Sequence, residues 1–104
     1  MVAVLHETRY KYNKAMLVQS NVEFTGEVRI REGKVYSTGY INCMYDEKPF
    51  SFSLNNDEYE PIVANEEQKE WKEPRLSVSN WPSGLSVNDT IEEFKTFVLA
   101  DIKG

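Results

Sequence analysis

The chain has 104 residues, of which 40% are hydrophobic and 28% charged, and its formal net charge is −5. This length fits one domain, residues 1–104, and the apolar content excludes an intrinsically disordered chain. The single cysteine, Cys43, excludes an intramolecular disulfide.

The N-terminal residues 2–12, VAVLHETRYKY, alternate in a way that predicts one long strand. In that strand Tyr10 and Tyr12 share one face, and Arg9 and Lys11 share the other. The pattern has two interpretations: a strand that stacks nucleic-acid bases on tyrosines, or the amphipathic edge of an ordinary sheet. Nucleic-acid grooves are usually broadly basic and this protein is acidic, so we favour the ordinary sheet and do not expect nucleic-acid binding. Residues 13–20 are compatible with either a helical turn or a second strand.

Residues 21–45 are predicted to form a β-hairpin whose turn is REGK, residues 31–34. A two-residue loop, Glu32-Gly33, would pair Ile30 with Val35 but requires a positive φ at Glu32. A type I turn followed by a G1 bulge at Gly33 avoids that strain, and we favour it. The bulge shifts the pairing by one residue. It would place Tyr36 and Tyr40 on the core face and put Val35, Ile41 and Cys43 outside.

In either register the second strand of the hairpin, residues 34–45, carries apolar side chains on both faces. A strand of this kind is usually covered on both sides. A single helix covers one side only. The other side is therefore expected to meet a second sheet layer, the far wall of a barrel, or a partner.

Two more strands and an acidic segment follow. FSFSL (50–54) and RLSVSNW (75–81) alternate apolar and polar residues as strands do. Between them, residues 56–73 hold seven acidic residues and two lysines, which equals the net charge of the whole chain. An N-x-x-Q capping pattern and a terminating proline predict a short charged helix near residues 65–72. Trp71 and Trp81 flank the last strand as core residues or interface anchors.

The C-terminal stretch DTIEEFKTFVLADIKG (89–104) predicts an amphipathic helix. Thr90 and Glu93 have the T-x-x-E spacing of a capping box at its start. The apolar stripe that should dock on the sheet consists of Ile91, Phe94, Val98 and Ile102. The expected fold is α+β: a curved, mostly antiparallel sheet or partly open barrel of five to seven strands, with this helix packed on it. That order of elements resembles pleckstrin-homology-like domains, but the helix lacks their usual tryptophan and residues 31–34 offer no basic phosphoinositide loop.

No motif in the chain predicts catalysis. His6 and Cys43 are each the only residue of their type, so they are the sole candidates for a Cys–His pair or for the nitrogen and sulfur ligands of a metal. Residues 54–61, LNNDEYEP, lack the spacing of a calcium loop, and the glycines form no phosphate-binding pattern. We therefore expect no catalytic residue, no metal and no cofactor.

The leading hypothesis is a small, acidic, non-catalytic protein-binding module of an inhibitor, immunity or adaptor type. Its partner would be a protein, in particular a basic one, or a second copy. The predicted contact residues are Tyr36, Tyr40, Asp57, Glu58, Glu60, Glu66, Glu67, Glu70 and Trp71. The alternative is a small-molecule or peptide pocket inside the sheet, lined by Tyr36, Tyr40, Phe50 and Phe52.

No apolar run approaches the ~20 residues that cross a bilayer. The N-terminus also lacks a secretory signal, so membrane association is not expected and the cytoplasm is the expected location.

Overall fold

The computed structural model describes residues 8–55 and 74–103, and in these residues the fold is α+β, as predicted. Six antiparallel strands form one sheet, and a C-terminal helix packs on one of its faces. The elements are β1 (Thr8–Leu17), β2 (Val22–Arg31), β3 (Lys34–Ser37), β4 (Ile41–Tyr45), β5 (Lys48–Asn55), β6 (Arg75–Ser79) and α1 (Val87–Lys103). The strand order is β1-β2-β4-β5-β6, with β3 also paired to β2, so the sheet is open rather than closed into a barrel. The short charged helix predicted near residues 65–72 lies outside the described residues.

Strand β1 is the amphipathic edge strand that its alternation predicted. Tyr12 is buried in the core and Tyr10 packs against it, while Arg9 and Lys11 are exposed. Residues 13–17 continue this strand rather than forming a helical turn. A bulge between Tyr12 and Ala15 interrupts the pairing with β2, and Lys14 within it has a φ of 71°.

The predicted G1 bulge in the β2–β3 hairpin is wrong. Ile30 pairs with Val35 and Arg31 with Lys34, so the loop is the two-residue Glu32-Gly33 turn. Both loop residues have positive φ, 54° and 76°. A left-handed conformation costs a non-glycine residue roughly 1–2 kcal/mol. Fully burying one Val or Ile side chain stabilises by about 1.5–3 kcal/mol. The observed register buries Val35, Ile41 and Cys43 on the core face, so burial outweighs the strain at Glu32.

The strand predicted over residues 34–45 is broken at residues 38–40. On one side of the break Val28 pairs with Ser37, and on the other Phe24 pairs with Cys43, which is a shift of two residues. An even shift keeps the same residues facing the core, because side chains alternate along a strand. Gly39 allows the break because its φ is 85°.

The core lies between the sheet and α1 and is rich in aromatic side chains. The ring of Phe24 lies 5.3 Å from Tyr12, 5.1 Å from Phe94 and 5.6 Å from Phe97. Phe52 packs edge-on against Phe94 at 5.0 Å, which extends the cluster towards β5. The predicted apolar stripe of α1 is confirmed, since its four residues are buried or pack on this core.

Helix α1 begins earlier than predicted, and the Thr90–Glu93 capping box is wrong. Ser86 caps the helix: its Oγ accepts a hydrogen bond from the Asp89 N–H at 3.2 Å, and its carbonyl accepts one from Thr90 N–H at 3.1 Å. Thr90 is therefore already inside the helix and is fully buried. The helix has 17 residues and, within the part of the chain that is described, no helix is long and apolar enough to cross a membrane.

Candidate functional site: the outer face of the sheet

The outer face of the sheet, which is the face turned away from α1, carries the largest exposed apolar side chains of β1 and β4. Met16 pairs with Glu23, Glu23 with Met44, and Met44 with Pro49, so these four residues form one row across four strands. Met16 is 44% exposed and Met44 41%. Both face outward because their strand neighbours Leu17 and Cys43 face the core. Tyr40, directly before β4, is 53% exposed. We call Met16, Tyr40 and Met44 the outer-face patch.

Of the two tyrosines predicted to contact a partner, Tyr40 is exposed and Tyr36 is not. Tyr36 is fully buried, on the side of β3 opposite Val35, and the guanidinium of Arg29 lies 5.7 Å from the centre of its ring. A fully buried ring offers no surface to a second protein, so the contact predicted for Tyr36 is not supported by its position. The other predicted contact residues, Asp57, Glu58, Glu60, Glu66, Glu67, Glu70 and Trp71, lie outside the described residues.

The expected cover on both sides of residues 34–45 is found for β3 only. Val35 and Tyr36 point to opposite sides of β3 and both are buried. In β4 the core-facing Ile41 and Cys43 are buried, whereas Asn42 and Met44 on the outer side are exposed. The outer side of β4 is therefore exposed, although β4 has apolar side chains on both faces.

Trp81 and the aromatic residues of β5 belong to the core side of the sheet. The Trp81 ring packs edge-on against Phe50 at 4.7 Å, and its Nε1–H donates to the Leu85 carbonyl at 2.9 Å. Phe50 and Phe52 face the core, on the opposite side of the sheet from Tyr36. The four aromatic residues proposed to line a pocket are thus divided between the two faces.

A cleft of about 580 Å³ lies instead where α1 starts, against the β1–β2 turn. Across it, the Glu93 carboxylate accepts hydrogen bonds from the backbone N–H groups of Gln19 at 2.6 Å and Ser20 at 2.8 Å. These bonds hold the turn against the helix. Glu93 was predicted to cap its own helix, and in the structure it caps a turn that is distant in sequence.

Two buried titratable side chains have pKa values well above their usual ranges. Burial, together with a 3.0 Å hydrogen bond from its hydroxyl to Asp101 and the charge of that carboxylate, raises the pKa of Tyr12. Burial alone raises the pKa of the Cys43 thiol to about 12. A thiolate is the reactive form of cysteine, so this environment opposes a nucleophilic role for Cys43. His6, the other member of the candidate pair, is outside the described residues.

We expect the Cys43 thiol to be inert in the folded protein. At pH 8 a disulfide exchange reagent should react roughly 100-fold or more slowly with the native protein than with the same protein in urea, because burial lowers the thiolate fraction and blocks access. The absorbance of the released thiol measures both rates. Native labelling as fast as labelling in urea would show that the thiol is accessible and ionised.

Residues 8–55 and 74–103 contain no cluster of three or more His, Cys, Asp or Glu side chains that would hold a metal ion. Comparison of the whole chain with protein families, with curated proteins and with solved structures finds no match.

Proposed function

We propose that this chain is a non-catalytic protein-binding module that engages a protein partner through the outer-face patch of Met16, Tyr40 and Met44. The observation that supports the proposal is the exposure of Met16 (44%) and Met44 (41%) on the sheet face that α1 leaves uncovered, together with the 53% exposure of Tyr40 directly before β4. Tyrosine and methionine are enriched in the centres of protein interfaces, and both adapt well to an apolar contact. Single exposed apolar residues are common, but here two of them share one cross-strand row.

The polar residues around the patch suit a protein interface. Glu23 lies between Met16 and Met44 in that row, and the exposed Asn42 lies in β4 between Met44 and Tyr40, which precedes the strand. An apolar centre with hydrogen-bonding groups beside it is the usual composition of a specific interface. The net charge of −5, concentrated in residues 56–73, favours a basic partner because opposite charge accelerates encounter.

A photo-crosslinking amino acid placed at position 40 or 44 tests this proposal. In the native cell extract we expect both positions to capture the same protein, identified by mass spectrometry. Val18 is the control position, because it is 82% exposed but lies in the β1–β2 turn and outside the patch.

Binding of the captured protein is then measured with purified components. Met44→Lys should weaken it at least 10-fold, since a lysine at an interface centre must be desolvated without a partner, whereas Val18→Lys should leave it unchanged. Equal capture at positions 18, 40 and 44, or unchanged affinity of Met44→Lys, would refute the role of this patch.

A further inference from the structure

Among the described strands β6 is an edge strand of the sheet, and its outer edge has backbone groups that can form hydrogen bonds. On its inner side β6 pairs with β5 over its whole length, from Ser51 opposite Ser79 to Asn55 opposite Arg75. On its other side it pairs with no strand among residues 8–55 and 74–103. An edge of this kind presents backbone N–H and C=O groups in a row, and its natural ligand is another extended strand.

The two edges of the sheet differ in their protection against such pairing. On β1 the bulge at Asn13-Lys14 interrupts the strand, and the exposed Arg9, Lys11 and Lys14 place charge along it. Bulges and charged side chains are the usual means of blocking edge-to-edge association. Strand β6 has no bulge, and its only charged residue, Arg75, is at one end.

Strand β6 also exposes apolar side chains on the helix side of the sheet. Leu76 is 42% exposed and Val78 is 44% exposed. Their neighbours on β5, Leu54 and Phe52, are buried. The apolar layer of the core therefore continues onto β6 and ends there partly uncovered.

We propose that a second copy of this chain covers this edge by antiparallel pairing of β6 with β6, with Ser77 on the two-fold axis. In this register Leu76 of each copy lies opposite Val78 of the other, and Arg75 lies opposite Ser79. All five residues of the strand take part, and the two sheets become one continuous sheet. Along a strand, the backbone N–H and C=O groups of every second residue point to the same edge. In this register each residue lies opposite one whose number differs from its own by zero, two or four, so groups that point outward on one copy meet groups that point outward on the other.

The chemistry of the strand selects a second copy as its occupant because the sequence RLSVS is complementary to itself. The two cross-strand Leu–Val pairs fall on the same face, where apolar pairs stabilise by roughly 0.2–1 kcal/mol each beyond the backbone hydrogen bonds. No like charges face each other. Each Arg75 lies opposite Ser79 of the other copy, which is four residues from that copy's Arg75, or about 13 Å at the usual rise per strand residue. That separation exceeds the Debye length of about 8 Å at physiological ionic strength.

Sedimentation velocity across a dilution series tests the proposal. A five-residue edge gives a small interface, so we expect a dimer with a dissociation constant on the order of 10–100 μM. Two double variants, Leu76→Lys/Val78→Lys and Leu76→Glu/Val78→Glu, place like charges opposite each other in the proposed register and should each sediment as monomers. An equimolar mixture of the two should recover a dimer, because every lysine then faces a glutamate.

The controls separate pairing from a general loss of apolar surface. Val18→Lys removes a more exposed apolar side chain elsewhere and should dimerise like the wild type. Circular dichroism and melting curves should show that all variants fold, since Leu76 and Val78 are each more than one-third exposed. A wild-type protein that stays monomeric up to about 1 mM, double variants that still dimerise alone, or a mixture that stays monomeric would each overturn the proposal. None of these results bears on the outer-face patch, which lies on the other side of the sheet.

Discussion

Replacing Phe24 with alanine is expected to lower the free energy of unfolding by about 3–5 kcal/mol, the usual cost of truncating a buried phenylalanine. Phe24 is almost completely buried, and its ring contacts three other aromatic rings, Tyr12 from β1 and Phe94 and Phe97 from α1. The substitution leaves a cavity at a place where β1, β2 and α1 meet. A domain of this size has about 5–15 kcal/mol of net stability, so the variant should be partly unfolded or close to it.

Urea denaturation followed by tryptophan fluorescence measures this loss. Tyr40→Ala is the matched control, because it also truncates an aromatic side chain but one that is 53% exposed. Surface substitutions usually change stability by no more than about 0.5 kcal/mol. A Phe24→Ala variant as stable as Tyr40→Ala would mean that the aromatic cluster does not hold the helix on the sheet.

Replacing Glu93 with alanine is expected to cost about 1–3 kcal/mol, because two backbone N–H groups lose their acceptor. Its carboxylate accepts from the N–H groups of Gln19 and Ser20, which are 74 and 73 residues away in the sequence. Bonds to an ionised acceptor are stronger than those between neutral groups. Glu93→Gln should cost less than Glu93→Ala, since its amide oxygen still accepts one of the two bonds.

Glu92→Ala is the control for the loss of Glu93. Glu92 is the adjacent residue of the helix, is exposed, and makes an ion pair with Lys95 at 3.6 Å. Such an exposed pair contributes only about 0.3–0.5 kcal/mol. Amide hydrogen exchange gives a local readout. The N–H groups of Gln19 and Ser20 should exchange faster in Glu93→Ala than in the wild type, and at the wild-type rate in Glu92→Ala. Equal exchange in the two variants would contradict a clamp by Glu93.

The type and order of the elements were predictable because the apolar residues repeat with a clear period. Alternation over residues 22–30 and 50–54 predicts strands, and the spacing from Ile91 to Ile102 predicts the helix. The local details were not predictable from the same signals. Ser86-x-x-Asp89 and Thr90-x-x-Glu93 are consecutive capping patterns, and nothing local in the sequence shows that the distant β1–β2 turn takes up the Glu93 carboxylate.

The predicted register of the β2–β3 hairpin was wrong for a related reason. The strain at Glu32 is a local cost that the sequence displays, whereas the burial of Val35 and Cys43 is a gain that appears only when the core is assembled. The break at Gly39 was not predictable for the same reason. It shifts the pairing with β2 by two residues, and an isolated hairpin would pair continuously without this shift.

The candidate site was predictable in part. Tyr40 is exposed, although the favoured bulge register placed it on the core face, and Tyr36 was predicted to share its surface but is buried. Met16 was missed because its place beside Glu23 and Met44 depends on the bulge in β1, which has no glycine or proline to mark it. Met44 was not among the predicted contact residues, although the period of two places it on the same face as Tyr36 and Tyr40.

The contact of Phe24 with Phe94 joins residues 70 positions apart, and it has a consequence for biosynthesis. The strands leave the ribosome before the helix that shields them, so the inner face of the nascent sheet stays apolar and uncovered until α1, Val87–Lys103, has also emerged. During that interval the exposed apolar face makes the growing polypeptide prone to aggregation.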